Sequence, residues 1–387
     1  SPWGPAIDFN KPQVREFFIH NALYWLMEYR FDGLRLDAVP YLVEREGTNN
    51  ENLPETHRIL KLIRAEIDAN YPDRMLLAEA NQWPEDTQEY FGQGDECHMA
   101  FHFPLMPRMY MALAQDDRFP ITDILRQTPD IPANCQWAIF LRNHDELTLE
   151  MVTDKERDYL WERYAADRRA RLNLGIRRRL APLLERDRRR VELLNSLLLS
   201  MPGSPVIYYG DEIGMGDDLS LPERECARTP MQWSDEPQAG FSRSDKTVLP
   251  VISEGPYGFA HVNVAHQRRD PNSLLNWTER MIRMRREAPE VGWGDYSVVE
   301  TGEKGVLALR YDWRNNSVLL LHNLCDLSHK IALDLKMGEI GHRLIDIADG
   351  GHSLADESGR HRILLEPYGY RWYRVGGLDY ILRRTEI

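Results

Sequence analysis

Gly33-Leu34-Arg35-Leu36-Asp37-Ala38-Val39 is an apolar run with a carboxylate at its end. Two further stretches repeat the arrangement: Leu76-Leu77-Ala78-Glu79-Ala80-Asn81 and Phe140-Leu141-Arg142-Asn143-His144-Asp145-Glu146. Four or five consecutive apolar residues read as a strand buried on both faces, the kind found in parallel sheets. An acid at the C-terminal tip of such a strand lies where an α/β barrel keeps its chemistry. Three acids delivered in this way point to cleavage or transfer of a glycosidic bond, which needs one carboxylate as nucleophile and another carboxyl as acid/base.

The segments around these strands extend the pattern. Phe18, Ala22, Trp25, Leu26 and Tyr29 share one helical face, and Asn10 with Gln13 and Pro12 reads as the helix start. Glu55 to Asn70 reads as a second helix with Ile59, Leu62, Ile63 and Ile67 as its stripe. Strands are expected at 31–36, 74–78, 99–103, 137–141 and 205–209, with helices at 191–199 and 273–286. Alternating strands and helices specify an α/β fold with a parallel sheet, here a (β/α)8 TIM-barrel type of catalytic domain. Beyond Gly294, five short β-rich runs separated by turns read as an antiparallel β-sandwich. The expected division is a partial (β/α)8 domain over 1–293 and a C-terminal sandwich over 294–387. The Arg-rich stretch 154–190 reads as a solvated helical excursion, its cations offset by interspersed acids.

Composition narrows the function classes. The 387 residues are 42% hydrophobic and 28% charged, as in an ordinary folded protein. A net charge of −13 argues against nucleic acid or anionic lipid as partners. No apolar run approaches the length of a membrane span, and no secretory leader is legible. The four cysteines form no CxxC pair, which argues against a zinc site or a disulfide framework and favours a reducing cytoplasm.

Within the acid-tipped segments the residues differ in expected role. Arg35 lies two residues before Asp37 and on the same face of the strand, so its charge would keep Asp37 ionised as a nucleophile. Glu79 lies between Ala78 and Ala80, surroundings that raise a Glu pKa toward that of a working acid/base. His144 and Asp145 form a pair suited to gripping adjacent hydroxyls.

These three segments resemble the second, third and fourth conserved regions of the α-amylase superfamily. The stretches 40–57, 94–104 and 143–154, Tyr208 to Asp217, Arg228-Thr229-Pro230-Met231-Gln232-Trp233 and Leu365 to Tyr373 resemble more narrowly its maltose α-D-glucosyltransferases, the trehalose synthases. The resemblance implies Asp37 as nucleophile, Glu79 as proton donor and Asp145 as stabiliser of the transition state. Arg35 and His144 would contact the donor sugar, and Arg228 would hold the acceptor. It also implies structural Ca²⁺, held partly by the Tyr41 and Leu42 carbonyls and the Glu44 carboxylate, and no organic cofactor. The implied reaction is retaining, intramolecular transfer of glucose between maltose and trehalose, with side hydrolysis to glucose. An α-glucosidase or trehalohydrolase is the alternative, and a non-catalytic carbohydrate-binding fragment is the second alternative. A homo-oligomer and a maltokinase partner both remain open.

The family's first conserved region carries an Asn and a His on an earlier strand, and no such strand is legible before residue 31. The chain also opens on Ser1. The expectation is therefore a fragment holding barrel strands four to eight, without the first three strands and the lid domain.

Overall fold

The computed structural model describes residues 7–337 and 341–376. The chain forms two compact units. The first comprises residues 1–104 and 125–138, and the second residues 105–124 and 139–387.

The first unit is built on parallel strands in the order β1 (Gly33–Leu36), β2 (Met75–Ala78), β3 (Met99–Phe101) and β4 (Gln136–Phe140), the last continuing into the second unit. Leu36 pairs with Ala78, so Asp37 and Glu79 each stand one residue past the paired ends of adjacent strands. Gly33 is required there, because a Cβ would come within 2.6 Å of the Met75 carbonyl oxygen. Helix α1 (Pro12–Glu28) precedes β1, and α2 (Pro54–Asn70) connects β1 to β2. On α2, Thr56, Leu60, Ile63 and Ile67 are buried at spacings of four, three and four. Leu62, assigned from the sequence to the buried stripe, is exposed.

Helix α1 departs further from its expected pattern. Its start is Lys11–Pro12 with no side-chain cap, while the Asn10 side chain accepts a hydrogen bond from Arg45. Only Ala22 and Leu26 of the expected face are buried. Trp25 and Tyr29 are exposed and stack on one another at 4.7 Å, and Trp25 stacks on Phe31 at 5.8 Å. Apolar periodicity found the helix, but it could not tell which apolar residues meet the core.

In the second unit, the strand Ser204–Val206 is shorter than expected and follows the helix Arg188–Ser200. The C-terminal part contains a six-stranded antiparallel sheet. Its order is His352–Leu354, Arg343–Asp346, Tyr370–Val375, Asn316–Asn323, Val306–Trp313 and Asp295–Val298. A two-stranded ribbon, His329–Asp334 with Arg360–Leu365, faces it. Val306, Ala308, Leu319, Leu321 and Leu344 from the sheet share one core with Ile331, Leu333, Ile363 and Leu365 from the ribbon. Strict in/out alternation in Arg360–Leu365 explains why this sandwich was legible in advance.

The stretch 154–190 corrects an expectation. It does contain a helix, Asp154–Tyr164, closed by a Thr153/Glu156 capping box. It also contains a small antiparallel ladder joining Leu147–Thr148, Gly175–Ile176 and Arg171–Leu172. Its arginines are not uniformly solvated. Arg178 pairs with Asp217 at 3.0 Å. Arg179 is fully buried, donates to the Tyr209 carbonyl at 2.6 Å, and lies over the Tyr208 and Tyr209 rings. Cation–π contact and the one hydrogen bond from Nη1 offset part of the lost hydration, while Nε and Nη2 are buried without a hydrogen-bond partner.

Candidate functional site

In the first unit, parallel pairing of β1 and β2 brings Arg35, Asp37 and Glu79 together. One guanidinium nitrogen of Arg35 lies 2.7 Å from Asp37 Oδ1, and the other lies 2.5 Å from Glu79 Oε1. Arg35 therefore bridges both carboxylates, whereas the sequence suggested only its pairing with Asp37. The Ala38 N–H donates to Glu79 Oε2 at 3.2 Å, and the Val39 N–H donates to the Glu79 carbonyl. Ala38 takes a left-handed conformation, φ 45°, turning the chain sharply after the Asp37 tip.

The two acids differ in environment. The Asp37 side chain is 78% exposed, and that of Glu79 is 17% exposed. Burial pushes the Glu79 carboxyl pKa up, and a hydrogen bond with Asp37 adds to the rise. The positive charge of Arg35 and the Ala38 N–H pull the other way but do not reverse it. An exposed carboxyl beside one whose pKa is raised matches the pairing that a retaining glycosidase uses.

The loop after β1 buries Val39, Pro40 and Val43 and exposes Tyr41 and Glu44. Tyr41 ends the 3₁₀ turn Val39–Tyr41, and its hydroxyl donates to Glu51 at 2.6 Å. Glu44 is exposed on the same loop. Two main-chain carbonyls and one carboxylate form a hard-oxygen set that fits Ca²⁺ in kind and gives part of the six to eight oxygens it takes. Among the described residues, no cluster of three or more His, Cys, Asp or Glu side chains could hold a metal.

In the second unit, His144, Asp145 and Arg228 come together. Arg228 donates to Asp145 Oδ1 at 2.8 Å and to the His144 carbonyl at 2.7 Å. The sequence had placed Arg228 toward an acceptor sugar. In the structure it holds the Asp145 carboxylate and lines a cavity of about 810 Å³. His144 Nε2 lies 3.4 Å from Asp145 Oδ2.

Three supporting residues went unread in the sequence. Arg224 lies 3.3 Å from Asp145 Oδ1 and 2.6 Å from Glu146 Oε2. Arg142 is buried and donates to the Asp145 carbonyl at 2.7 Å and to the Arg178 carbonyl at 2.5 Å. Asn143 Oδ1 accepts the Asp145 N–H at 3.0 Å. Arg142 and Asn143 stood next to the acid in the sequence. Arg224 is far along the chain, and no periodicity announces it. Asp145 is thus held at both its main chain and its carboxylate.

The model of the alpha amylase catalytic domain matches residues 3–172 and 176–294, and that of the sucrose hydrolase-like C-terminal domain matches 316–374. A trehalose synthase of Pimelobacter sp. (strain R48) is 48% identical over 97% of this chain and 68% of its own length. The trehalose synthase/amylase TreS of Mycolicibacterium smegmatis is 51% identical over 86% of this chain and 58% of its own length. The chain thus spans roughly three fifths to two thirds of these curated relatives. Among solved structures, an α-amylase from H. orenii superposes with a TM-score of 0.70 at 21% identity, covering 95% of this chain and 65% of that one. That likeness supports the barrel fold alone. The matched catalytic-domain model and the identity to the Pimelobacter enzyme place this chain in the α-amylase family, on its trehalose synthase branch.

Proposed function

We propose that this chain carries the machinery of a retaining, intramolecular transglucosylase that interconverts maltose and trehalose. The observation that carries the reading is the Arg35 bridge between an exposed Asp37 and a half-buried Glu79 whose pKa is raised. The identity to trehalose synthases supports the choice of maltose over other α-glucosides.

Asp37 attacks the anomeric carbon of the non-reducing glucose while Glu79 passes its proton to the glycosidic oxygen. The C–O bond breaks, glucose departs, and a β-glucosyl ester remains on Asp37. The departed glucose turns and offers its anomeric hydroxyl to the same carbon. Glu79 takes that hydroxyl's proton, the ester bond breaks, and trehalose forms with its α configuration retained. Water in place of glucose gives free glucose. Arg35 neutralises part of the charge on Asp37 before attack.

The loop Tyr41–Glu44 would contribute oxygens to a structural Ca²⁺, which would tie the turn after the nucleophile to its surroundings. The sugar substrate is the one partner the reading requires. Among the described residues no helix is long and apolar enough to cross a membrane. Four free, buried cysteines suit a reducing cytoplasm.

Incubation of the chain with maltose tests the reading. Trehalose as the principal early product is expected. Glucose alone would favour an α-glucosidase, and product yield unchanged in Glu79→Gln would favour a carbohydrate-binding fragment.

A further inference from the structure

In the first unit, helix α2 carries a histidine whose ring meets two carboxylates that the reaction does not use. His57 Nδ1 lies 2.8 Å from Glu96 Oε2. On the other edge of the ring, Nε2 is buried without a hydrogen-bond partner, and Glu89 Oε2 stands 3.6 Å from it. Both acids belong to one segment, Glu89 to Glu96, within the connection from β2 to β3. That segment turns at Gly92, φ 57°, where a side chain would collide with Asp95 and Glu96.

The surroundings hold one of the two acids and leave the other free to move. The Glu96 side chain is only 3% exposed, so it depends on protein partners rather than water. Its main chain is anchored from α2 by the buried Arg64, whose Nη1 donates to the Glu96 carbonyl at 2.9 Å. The buried Tyr90 lies against the His57 ring, with centroids 5.1 Å apart, and its hydroxyl donates to Asn52 Oδ1 ahead of α2. Lys61 Nζ stands 3.9 Å from Glu96 Oε1 and 3.1 Å from Asp95 Oδ2. The Glu89 side chain, by contrast, is 59% exposed.

A neutral imidazole has one N–H, and an imidazolium has two. With the single proton on Nδ1 for Glu96, the lone pair on Nε2 faces the Glu89 carboxylate and repels it. A second proton reverses that sign, and a shift of about half an ångström by Glu89 then makes a hydrogen bond. The Glu96 hydrogen bond and the charges of Glu96 and Glu89 raise the His57 pKa above its ordinary 6.5, against burial and Lys61.

We propose that His57 is a proton-operated latch. Protonation joins its two ring nitrogens to Glu96 and Glu89 and clamps the β2–β3 connection onto the first turns of α2, and deprotonation releases the Glu89 end. The folded-state pKa is the higher one, so the latch contributes fully below about pH 6.5 and is lost as pH rises through the His57 midpoint. The connection leaving the Glu79 strand is therefore tighter in mild acid than in base, whatever reaction the chain performs.

NMR of the chain carrying carbon-13-labelled histidine follows the titration, and hydrogen exchange follows the clamp. His57→Gln identifies the His57 signal among the twelve histidines. That signal should titrate above 6.5. Glu96→Gln should lower its midpoint by about one pH unit or more, and Glu89→Gln should lower it by less. The Gly92 and Cys97 amides, which donate to the Glu89 and Tyr90 carbonyls, should lose protection through the same midpoint. After correction for base-catalysed exchange, the loss should reach up to about tenfold for each pH unit by which the midpoint exceeds 6.5. Glu89→Gln should flatten it. Circular dichroism establishes folding. Glu89→Gln alters an exposed side chain and should move one histidine signal alone, so it decides the matter where His57→Gln or Glu96→Gln does not fold. A His57 midpoint at or below 6.5, a midpoint unmoved by Glu89→Gln, or protection that stays flat through the titration overturns the proposal.

Discussion

At the residue scale the functional proposal turns on Arg35. Its two nitrogens reach Asp37 and Glu79, so one charge serves two acids that must differ in protonation. Burial wins over that charge at Glu79 and keeps its proton affinity raised. Glu79→Gln should therefore lower kcat on maltose by about 10²- to 10⁴-fold, the usual contribution of a placed acid/base. The variant should stay folded by circular dichroism. The sign of the Arg35 effect is also testable. Deprotonation of Glu79 disables the first step, so activity should fall on the alkaline side. Arg35 lowers the Glu79 pKa, so Arg35→Gln should move that alkaline limb to higher pH, whatever it does to the maximal rate. A limb that stays in place or moves down would remove Glu79 as the acid. The sequence showed the Arg35–Asp37 relation because strand alternation puts residues two apart on one face. It could not show the Arg35–Glu79 contact, which exists only through the pairing of β1 with β2.

At the element scale, the helix Arg188–Ser200 is stitched to the C-terminal sheet by polar contacts that periodicity does not disclose. Ser196 Oγ lies 3.0 Å from His322 Nε2 and accepts the Trp372 indole N–H at 3.0 Å. The Tyr311 hydroxyl donates to the Ser200 carbonyl at 2.7 Å. His322 is fully buried, and burial holds its pKa down to about 3. Unfolding returns it to the ordinary range near 6.5. The unfolded chain then binds a proton that the folded chain refuses. Its contribution to stability is complete above about pH 6.5 and is lost as pH falls toward 3, at up to about 1.4 kcal/mol per pH unit. Urea unfolding followed between pH 7 and 4 should show this slope, and His322→Gln should flatten it even if that variant is less stable at neutral pH. The Tyr41–Glu44 loop bears a second prediction. Millimolar CaCl₂ should raise Tm in the unmodified chain and much less in Glu44→Gln, while an equal Tm response would remove Glu44 from the ligand set.

On the scale of the whole molecule, the net charge of −13 favours solubility, but helix α1 works against it locally. Trp25, Tyr29 and Phe31 form an exposed aromatic stack, with Phe17 and Met27 of the same helix also more than half exposed. Among the described residues β1 pairs on one side only, with β2. An exposed aromatic helix face and an unpaired strand edge in one unit predict association of this chain with itself. Light scattering should show mass rising with concentration. Trp25→Ser with Phe31→Ser should reduce the rise, and a constant monomer mass in the unmodified chain would contradict the prediction. The sequence by itself determined the class of fold, the two strands tipped by Asp37 and Glu79 and the sandwich, because burial imposes periods of two and 3.6 that composition cannot hide, while Asp145 lies five residues past its strand. It also carried the likeness to the α-amylase family, since Asp37, Glu79 and Asp145 each sit within short contiguous segments. Only the tertiary structure decided that Arg35 bridges two acids, that Arg224 and Arg228 grip Asp145, and that Arg179 is buried while Trp25 is not. Those facts depend on residues distant in the chain meeting in space, and local spacing holds no record of which partner fills each hole.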